Sequence, residues 1–397
     1  MPSPPHPPLP VVVVGGLHRA ARRQTVLRLL ADRPDAVVLH HDLSAASTGR
    51  VRRTRWDVTG PLDDTTVPLT NDCPCCALRE DLLPELRRIS EGGHHRLAVV
   101  ELWGGSDPHP LVEVIAEGQA GGRDMAELVT VAGVVTAVDP LRLAADLSVD
   151  DRLHDHGLHT CPDDGRTVAE ALAHQIEYAG VLAVAVPHEA LGSAELHTGQ
   201  ALLRQLHPSA RMLELRSGRL PAEATAGFDV AAARDRVNPA LALLPQPADH
   251  AGVSTLVWEH RRPLHPVRFH EALADLVPAA QRSRGRFWLA NRPALMLAWD
   301  AAGGAVAVEE LGPWLADLPD SAWEDFPPAR RAAAALDWDP RYGDRVQRLS
   351  FTAVGLDADG ITAVLDSCLL TDAELALGEH GWKALPDAFA DYFDPVA

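Results

Sequence analysis

The sequence predicts an α/β protein in which a parallel sheet covered on both faces by helices is followed by a smaller α+β domain on a mainly antiparallel sheet. Three observations predict it. Near-continuous apolar runs at 11–14, 36–39, 97–100, 131–138 and 181–186 alternate with segments of helical spacing, as strands buried on both faces of a parallel sheet require. Near Ser217 the composition turns to Ala, Pro, Arg and Asp with weak periodicity as far as about Gly252, the pattern of a connector. Beyond it strands follow one another closely, two of them across a Gly303-Gly304 turn, which is hairpin spacing. The organisation read from this is a disordered start at 1–10, a first domain at 11–217, a linker at 218–252, a second domain at 253–375 and an acidic, partly loose tail at 376–397.

The first strand ends in Gly15-Gly16, and a helix over 19–30 follows with Val26, Leu27, Leu29 and Leu30 at helical spacing. The second strand runs into His40-His41-Asp42. A helix over 78–89 carries Leu82, Leu83, Leu86 and Ile89 on one side, and helices at 111–115 and 168–178 separate the later strands. In such sheets ligands sit beyond the carboxyl ends of the strands, where His40, His41, Asp42, Glu101 and Asp139 fall. The second domain reads as strand 254–260, helix 266–276, strands 283–289, 294–299 and 305–309, strand 345–354 and helix 358–367.

Composition bounds the function. A formal charge of −19 argues against general binding of nucleic acid through a basic face. No apolar stretch approaches the roughly 20 residues of a membrane span, and the proline-rich residues 1–10 lack the n-region and apolar run of a signal peptide. Five cysteines, an odd number and mostly clustered, do not make a disulfide framework, so the expected location is cytoplasmic. Lys383 is the only lysine, so no site in the first domain can use one.

The densest chemistry is Cys73-Pro74-Cys75-Cys76, three of the five cysteines within four positions. Three thiolates converging on one soft ion point to Zn²⁺, with a fourth ligand from elsewhere; reduced helix-start thiols or a redox pair are the other readings. His154, His156, His159 and Cys161 form a second cluster, either a weak zinc site or a solvated histidine-rich loop. Arg50, Arg52, Arg53 and Arg55 form a basic run that either touches RNA or an acidic partner or is a solvated face.

In chain order, the glycine-ended first strand, the Cys-x-Cys-Cys cluster followed by Leu78-Arg79-Glu80-Asp81-Leu82, and Glu101-Leu102-Trp103-Gly104 leading to Asp107-Pro108 resemble the CobW-type GTPases associated with metal delivery. Val134-Val135-Thr136-Ala137-Val138-Asp139 and Gln175-Ile176-Glu177-Tyr178-Ala179 keep that family's order. The second domain resembles the family's C-terminal domain through Arg262-Pro263-Leu264-His265-Pro266, Arg284-Gly285-Arg286-Phe287-Trp288-Leu289-Ala290 and Gly343-Asp344-Arg345. The resemblance implies a P-loop NTPase-like first domain. It also implies metal ligands at Cys73, Cys75 and Cys76, assisted by an acidic residue at the position of Asp42, with His41 an added candidate and Glu101 near nucleotide and metal. His40 and His41 point oppositely on a strand, so one of them reaches the site.

The departures are as informative. A P-loop needs glycines whose N–H groups wrap phosphate, a lysine and a hydroxyl for Mg²⁺. Here Gly16-Leu17-His18-Arg19-Ala20-Ala21-Arg22-Arg23 places Arg22 at the lysine and Arg23 at the hydroxyl. The guanine-reading Asn-Lys-x-Asp is replaced by Ala185-Val186-Pro187-His188. Chemistry missing at two separated sites argues against binding of GTP and Mg²⁺ and against efficient GTP hydrolysis. The degenerate phosphate loop leaves Gly16, Arg22 and Arg23 as its candidate binding residues, and an anion at the helix N-terminus is the contrary reading. The chain is most similar to an actinobacterial branch of the family, the ribosome hibernation factor-recruiting proteins called MRF. That resemblance implies a zinc-starvation adaptor whose partners are a hibernation factor and the ribosome, or else a metal-recipient protein. An active metallochaperone GTPase with an unconventional phosphate site, and a thiol redox protein using Cys75 or Cys76, remain the alternatives.

Overall fold

The computed structural model describes residues 7–68, 74–241 and 246–393. The chain divides into two compact units, Met1–Arg234 and Asp235–Ala397.

In the first unit β1 (Leu9–Gly15), α1 (Arg19–Asp32), β2 (Ala36–Asp42), β3 (Arg50–Asp57), β4 (Gly60–Pro68), α2 (Pro74–Gly92), β5 (Leu97–Glu101) and α3 (Pro108–Glu117) come first. A small ribbon of β6 (Gln119–Ala120) and β7 (Arg123–Asp124) precedes β8 (Val129–Val138), α4 (Leu143–Asp146), α5 (Val168–Tyr178), β9 (Val181–Val184), α6 (Ala194–Leu206) and β10 (Arg211–Glu214). Eight strands form one sheet in the order β10-β9-β8-β1-β5-β2-β3-β4. The six from β10 to β2 are parallel, and β3 and β4 extend the edge as an antiparallel hairpin. The apolar runs are the sheet's centre: Val12, Val14, Val38, Val99, Val135 and Val181 pack with Val26, Leu29 and Leu30 of α1. Leu27, by contrast, is 48% exposed. On α2, Leu82, Leu83, Leu86 and Ile89 are all buried, as their spacing predicts. Each such side chain contributes roughly 1.5–3 kcal/mol.

The hairpin β3–β4 has no counterpart among the expected elements. Its first strand reads as a basic run because four arginines interrupt it, and the carboxylates that pair with Arg52, Arg53 and Arg55 lie in β4 and α2. Residues 218–252, expected as a linker, hold α7 (Leu220–Ala224), α8 (Val230–Val237) and β11 (Ala248–His250). Leu220 and Ala224 are fully buried, and Ala224 seats so closely on Gly133 that a Cβ there would lie 2.0 Å from its carbonyl oxygen.

The second unit continues with β12 (Val253–His260), α9 (Pro266–Glu271), α10 (Leu273–Leu276), β13 (Arg282–Phe287), β14 (Leu295–Ala302), β15 (Ala305–Pro313), α11 (Pro328–Leu336), β16 (Gln347–Val354) and α12 (Ala358–Cys368). Its sheet is antiparallel with order β11-β12-β16-β13-β14-β15. Phe269, Phe287, Trp299, Leu349 and Phe351 form its core. The expected loose tail is ordered as far as Phe393: Trp382 and Phe389 are buried, and Phe389 stacks 5.8 Å from Phe269. Apolar residues spaced three or four apart through Trp382, Leu385 and Phe389 explain why the segment docks despite its acidic flanks. Among the described residues no helix is long and apolar enough to cross a membrane.

One buried carboxylate organises a corner of this unit. Asp344 accepts the N–H groups of Leu315 and Ala316 at 3.1 and 2.9 Å and pairs with Arg330 of α11 at 3.0 Å. Asp344→Ala leaves Arg330 and two amides without that acceptor. It should lower stability by about 3 kcal/mol, read as a lower melting temperature; an unchanged melt would show that water replaces the carboxylate.

Candidate functional site

The carboxyl ends of β1, β2, β5 and β8 gather the candidate residues, and the sheet divides them between two faces. On the α1 face only Gly16, Leu17 and His18 connect β1 to α1. Gly16 has φ +129° and presses on β8: a Cβ would lie 2.3 Å from the Ala137 carbonyl oxygen. α1 already starts at Arg19, and the Arg22 amide donates to the His18 carbonyl at 3.1 Å, so that amide is spent inside the helix. The Arg22 guanidinium is buried and folds back, Nη1 donating to the carbonyls of Gly16 at 2.5 Å and Leu17 at 2.9 Å. Its Nε lies 3.9 Å from the Glu101 carboxylate. Burial lowers the Arg22 pKa to about 10, with Glu101 pulling the other way, so the group stays charged at neutral pH. Arg23 points elsewhere, stacking 4.8 Å over Trp56 of β3. Of the three candidate phosphate-loop residues, Gly16 and Arg22 therefore meet and Arg23 does not join them.

His40 is on this face too, with Nδ1 on the Glu101 carbonyl at 2.9 Å. Burial holds its imidazole below the ordinary value although Glu101 opposes this, which keeps the ring neutral. Asp42 accepts the Ser44 amide at 2.9 Å. Burial raises its carboxyl, but the Ser44 hydrogen bonds outweigh that and hold it below the usual range, so it is an ionised oxygen donor at neutral pH.

His41 faces the other way, as strand alternation requires. Its Nε2 meets Asp81 of α2 at 2.8 Å. Asp81 also binds Arg53 at 2.7 Å, and Arg53 reaches Glu85 at 2.7 Å and Asp63 at 2.8 Å. Burial raises the Asp81 carboxyl, and the hydrogen bond from His41 with the charges of His41 and Arg53 overcomes this and lowers it. Cys75 and Cys76 lie in the first turn of α2, five to six residues before Asp81, roughly 7.5–9 Å along the axis. His41 of β2 is thus hydrogen-bonded to the helix that contains Cys75 and Cys76, whereas Glu101 faces α1 through Arg22. Cys73 lies outside the described residues. Among the described residues no three His, Cys, Asp or Glu side chains gather into a group able to hold a metal ion. Thiolates are by their chemistry ligands for a soft ion such as Zn²⁺.

The second cluster does not converge. His154 and His159 rings lie 4.8 Å apart, His156 pairs with Asp151 at 2.9 Å, and Cys161 turns into a cavity. That cavity, about 660 Å³, is walled by Leu43, Pro110, Leu111 and Val114, with Arg79 of α2 at one side. The Ser106 hydroxyl on its wall is buried without a hydrogen-bond partner. Sequence reasoning missed this cavity because its walls come from four separated segments; the Gly104-Gly105-Ser106-Asp107 turn after a buried strand was the available signal.

The buried Arg22 makes a direct prediction. Arg22→Ala leaves two loop carbonyls and the buried Glu101 without the guanidinium and should cost about 3 kcal/mol, measured by denaturant unfolding. A cost under about 1 kcal/mol would mean that Arg22 merely fills space.

Residues 46–214 match the CobW/HypB/UreG nucleotide-binding domain and residues 253–369 the cobalamin synthesis protein cobW C-terminal domain. The chain is 31% identical to a Mycobacterium tuberculosis protein named a zinc chaperone, over 97% of this chain and 94% of that one. It is 25% identical to zinc-regulated GTPase metalloprotein activator 1 of Dictyostelium discoideum, over 84% and 72%. The zinc-bound YjiA GTPase from E. coli aligns over 92% of this chain and 100% of its own at 15% identity and a TM-score of 0.38, a level at which the likeness carries no weight. With both domain models matched in order and a full-length relative at this identity, the chain belongs to the CobW family.

Proposed function

We propose that this chain is a zinc-handling protein of metal homeostasis that does not hydrolyse GTP, and that it acts as a zinc-responsive adaptor bringing a hibernation factor to the ribosome when zinc is limiting. The observation that carries the nonhydrolysing part is Arg22. A phosphate cradle needs loop amides aimed inward, whereas here a guanidinium fills that position and is held by loop carbonyls. No lysine can take its place, and the base-reading segment after β9 is Ala185-Val186-Pro187-His188.

Zinc is the cargo or signal in this reading. Its support is the thiol cluster and the relatives named a zinc chaperone and a zinc-regulated activator. Cys73, Cys75 and Cys76 would bind it, with His41, Asp42 and Glu101 as the candidates for the remaining position. Reduced thiols suit the cytoplasm. The adaptor role and its partners rest on the resemblance to the MRF branch alone. Physical chemistry narrows how such an adaptor would work: Arg52, Arg53 and Arg55 are paired with Asp64, Asp63, Asp81 and Glu85, so the basic run is largely neutralised and is a poor candidate for an RNA contact.

Zinc titration against a chelating dye tests the first half: the intact chain should bind tightly, and Cys73→Ser/Cys75→Ser/Cys76→Ser should lose that binding. Equal affinity in the variant would remove the cluster from the account. Affinity capture from zinc-depleted cells tests the second half and should recover ribosomal proteins with a hibernation factor. Recovery of neither would leave a metal-binding protein without the adaptor role.

A further inference from the structure

The second unit carries an aromatic cleft that metal chemistry does not use. It is built from the 3-10 turn Asp320–Asp325, the end of α11 and the residues just beyond it. Trp323 and Trp338 meet with ring centroids 5.7 Å apart and planes at 57°. With Asp320 and Ala335 they line an open cleft of about 610 Å³. Large apolar side chains are ordinarily drawn inside, since burial of one is worth roughly 2–3 kcal/mol. Here Trp338 is 50% exposed and Leu336 82% exposed.

Neighbouring contacts enforce that exposure. Asp337 is buried and paired with Arg286 and Arg348, and its carbonyl accepts from Arg261. Asp339 accepts the amides of Arg341 and Tyr342 at 2.8 and 3.0 Å, and its backbone bonds Gly343 in both directions at 2.8 Å. Trp338 is therefore pinned on both sides. Its ring lies against Gly343, where an added Cβ would fall 3.7 Å from Cη2. Trp323 is fixed by its Nε1 donating to the Leu315 carbonyl at 3.0 Å, and the Leu315 amide is held in turn by Asp344. Both indoles are preorganised.

The rim is acidic. Asp320, Glu324 and Asp325 are exposed and have no ion-pair partner among the described residues. Arg331, one turn back on α11, does not line the cleft. An indole face attracts a cation, and a carboxylate beside it supplies the charge-assisted hydrogen bond.

We propose that this cleft docks a cationic polypeptide segment of a partner, with an arginine or lysine on Trp323 and Trp338, its charge on Asp320, and flanking cations on Glu324 and Asp325. Charge complementarity selects this occupant. The same carboxylates repel nucleic acid, and a second copy of the chain brings a net charge of −19.

The test uses the full chain and a fluorescein-labelled arginine-rich octapeptide, read by fluorescence anisotropy at low and physiological salt. Saturable binding that weakens with salt is expected, and the same peptide with arginine replaced by glutamate should not bind. Trp338→Ala should weaken binding about tenfold and Asp320→Asn several-fold. Trp338→Phe should retain most of it, and Glu127→Gln in the first unit should retain all of it. Circular dichroism checks that the variants stay folded. No saturable binding at low salt, or equal binding by Trp338→Ala and Asp320→Asn, would overturn the proposal. So would concentration-dependent dimerisation abolished by Trp338→Ala, because the occupant would then be a second copy.

Discussion

The interaction on which the first unit turns is the Arg22 guanidinium seated on the carbonyls of Gly16 and Leu17, with Glu101 behind it. A charge this deep is costly unless hydrogen bonds and an opposite charge meet it; the short β1–α1 connection supplies the carbonyls and the end of β5 supplies the Glu101 carboxylate. α1 starts at Arg19 and consumes the Arg22 amide that a phosphate loop would turn outward. The connection between β1 and α1 therefore holds a cation bound by its own backbone. His40 on the Glu101 carbonyl adds to the same closed arrangement.

On the opposite face a second charge network ties the edge hairpin to α2. Arg53 joins β3 to Asp81 and Glu85, and Asp81 carries His41. The helix that begins with Cys75 and Cys76 is thereby coupled through ion pairs to the strand that ends in Asp42. Without His41, Asp81 would keep Arg53 as its remaining partner, so the helix would stay tied to the hairpin through Arg53.

Much of this was legible in the sequence. The strands β1, β5, β8 and β9 are mostly apolar, and the α2 stripe of Leu82, Leu83, Leu86 and Ile89 is buried as its spacing requires. The oddity of Arg22 was legible as a missing lysine, but its fold-back was not, because its acceptors are backbone carbonyls that no residue type announces. The β3–β4 hairpin was hidden by Arg50 to Arg55, whose strand character depends on Asp63, Asp64, Asp81 and Glu85 in other elements. Strand alternation correctly separated His40 from His41, yet which of them faces α2 depends on register. The docking of Trp382 and Phe389 was masked by acidic neighbours, although their apolar spacing was present.

The most direct measurement is equilibrium binding of GTP to the purified intact chain, with and without Mg²⁺. The proposed nonhydrolysing reading predicts no saturable binding in either condition, because Arg22 stands where a phosphate-binding lysine is expected and is held by loop carbonyls. Saturable, Mg²⁺-dependent binding would contradict it and would mean that the β1–α1 connection opens into a working phosphate site.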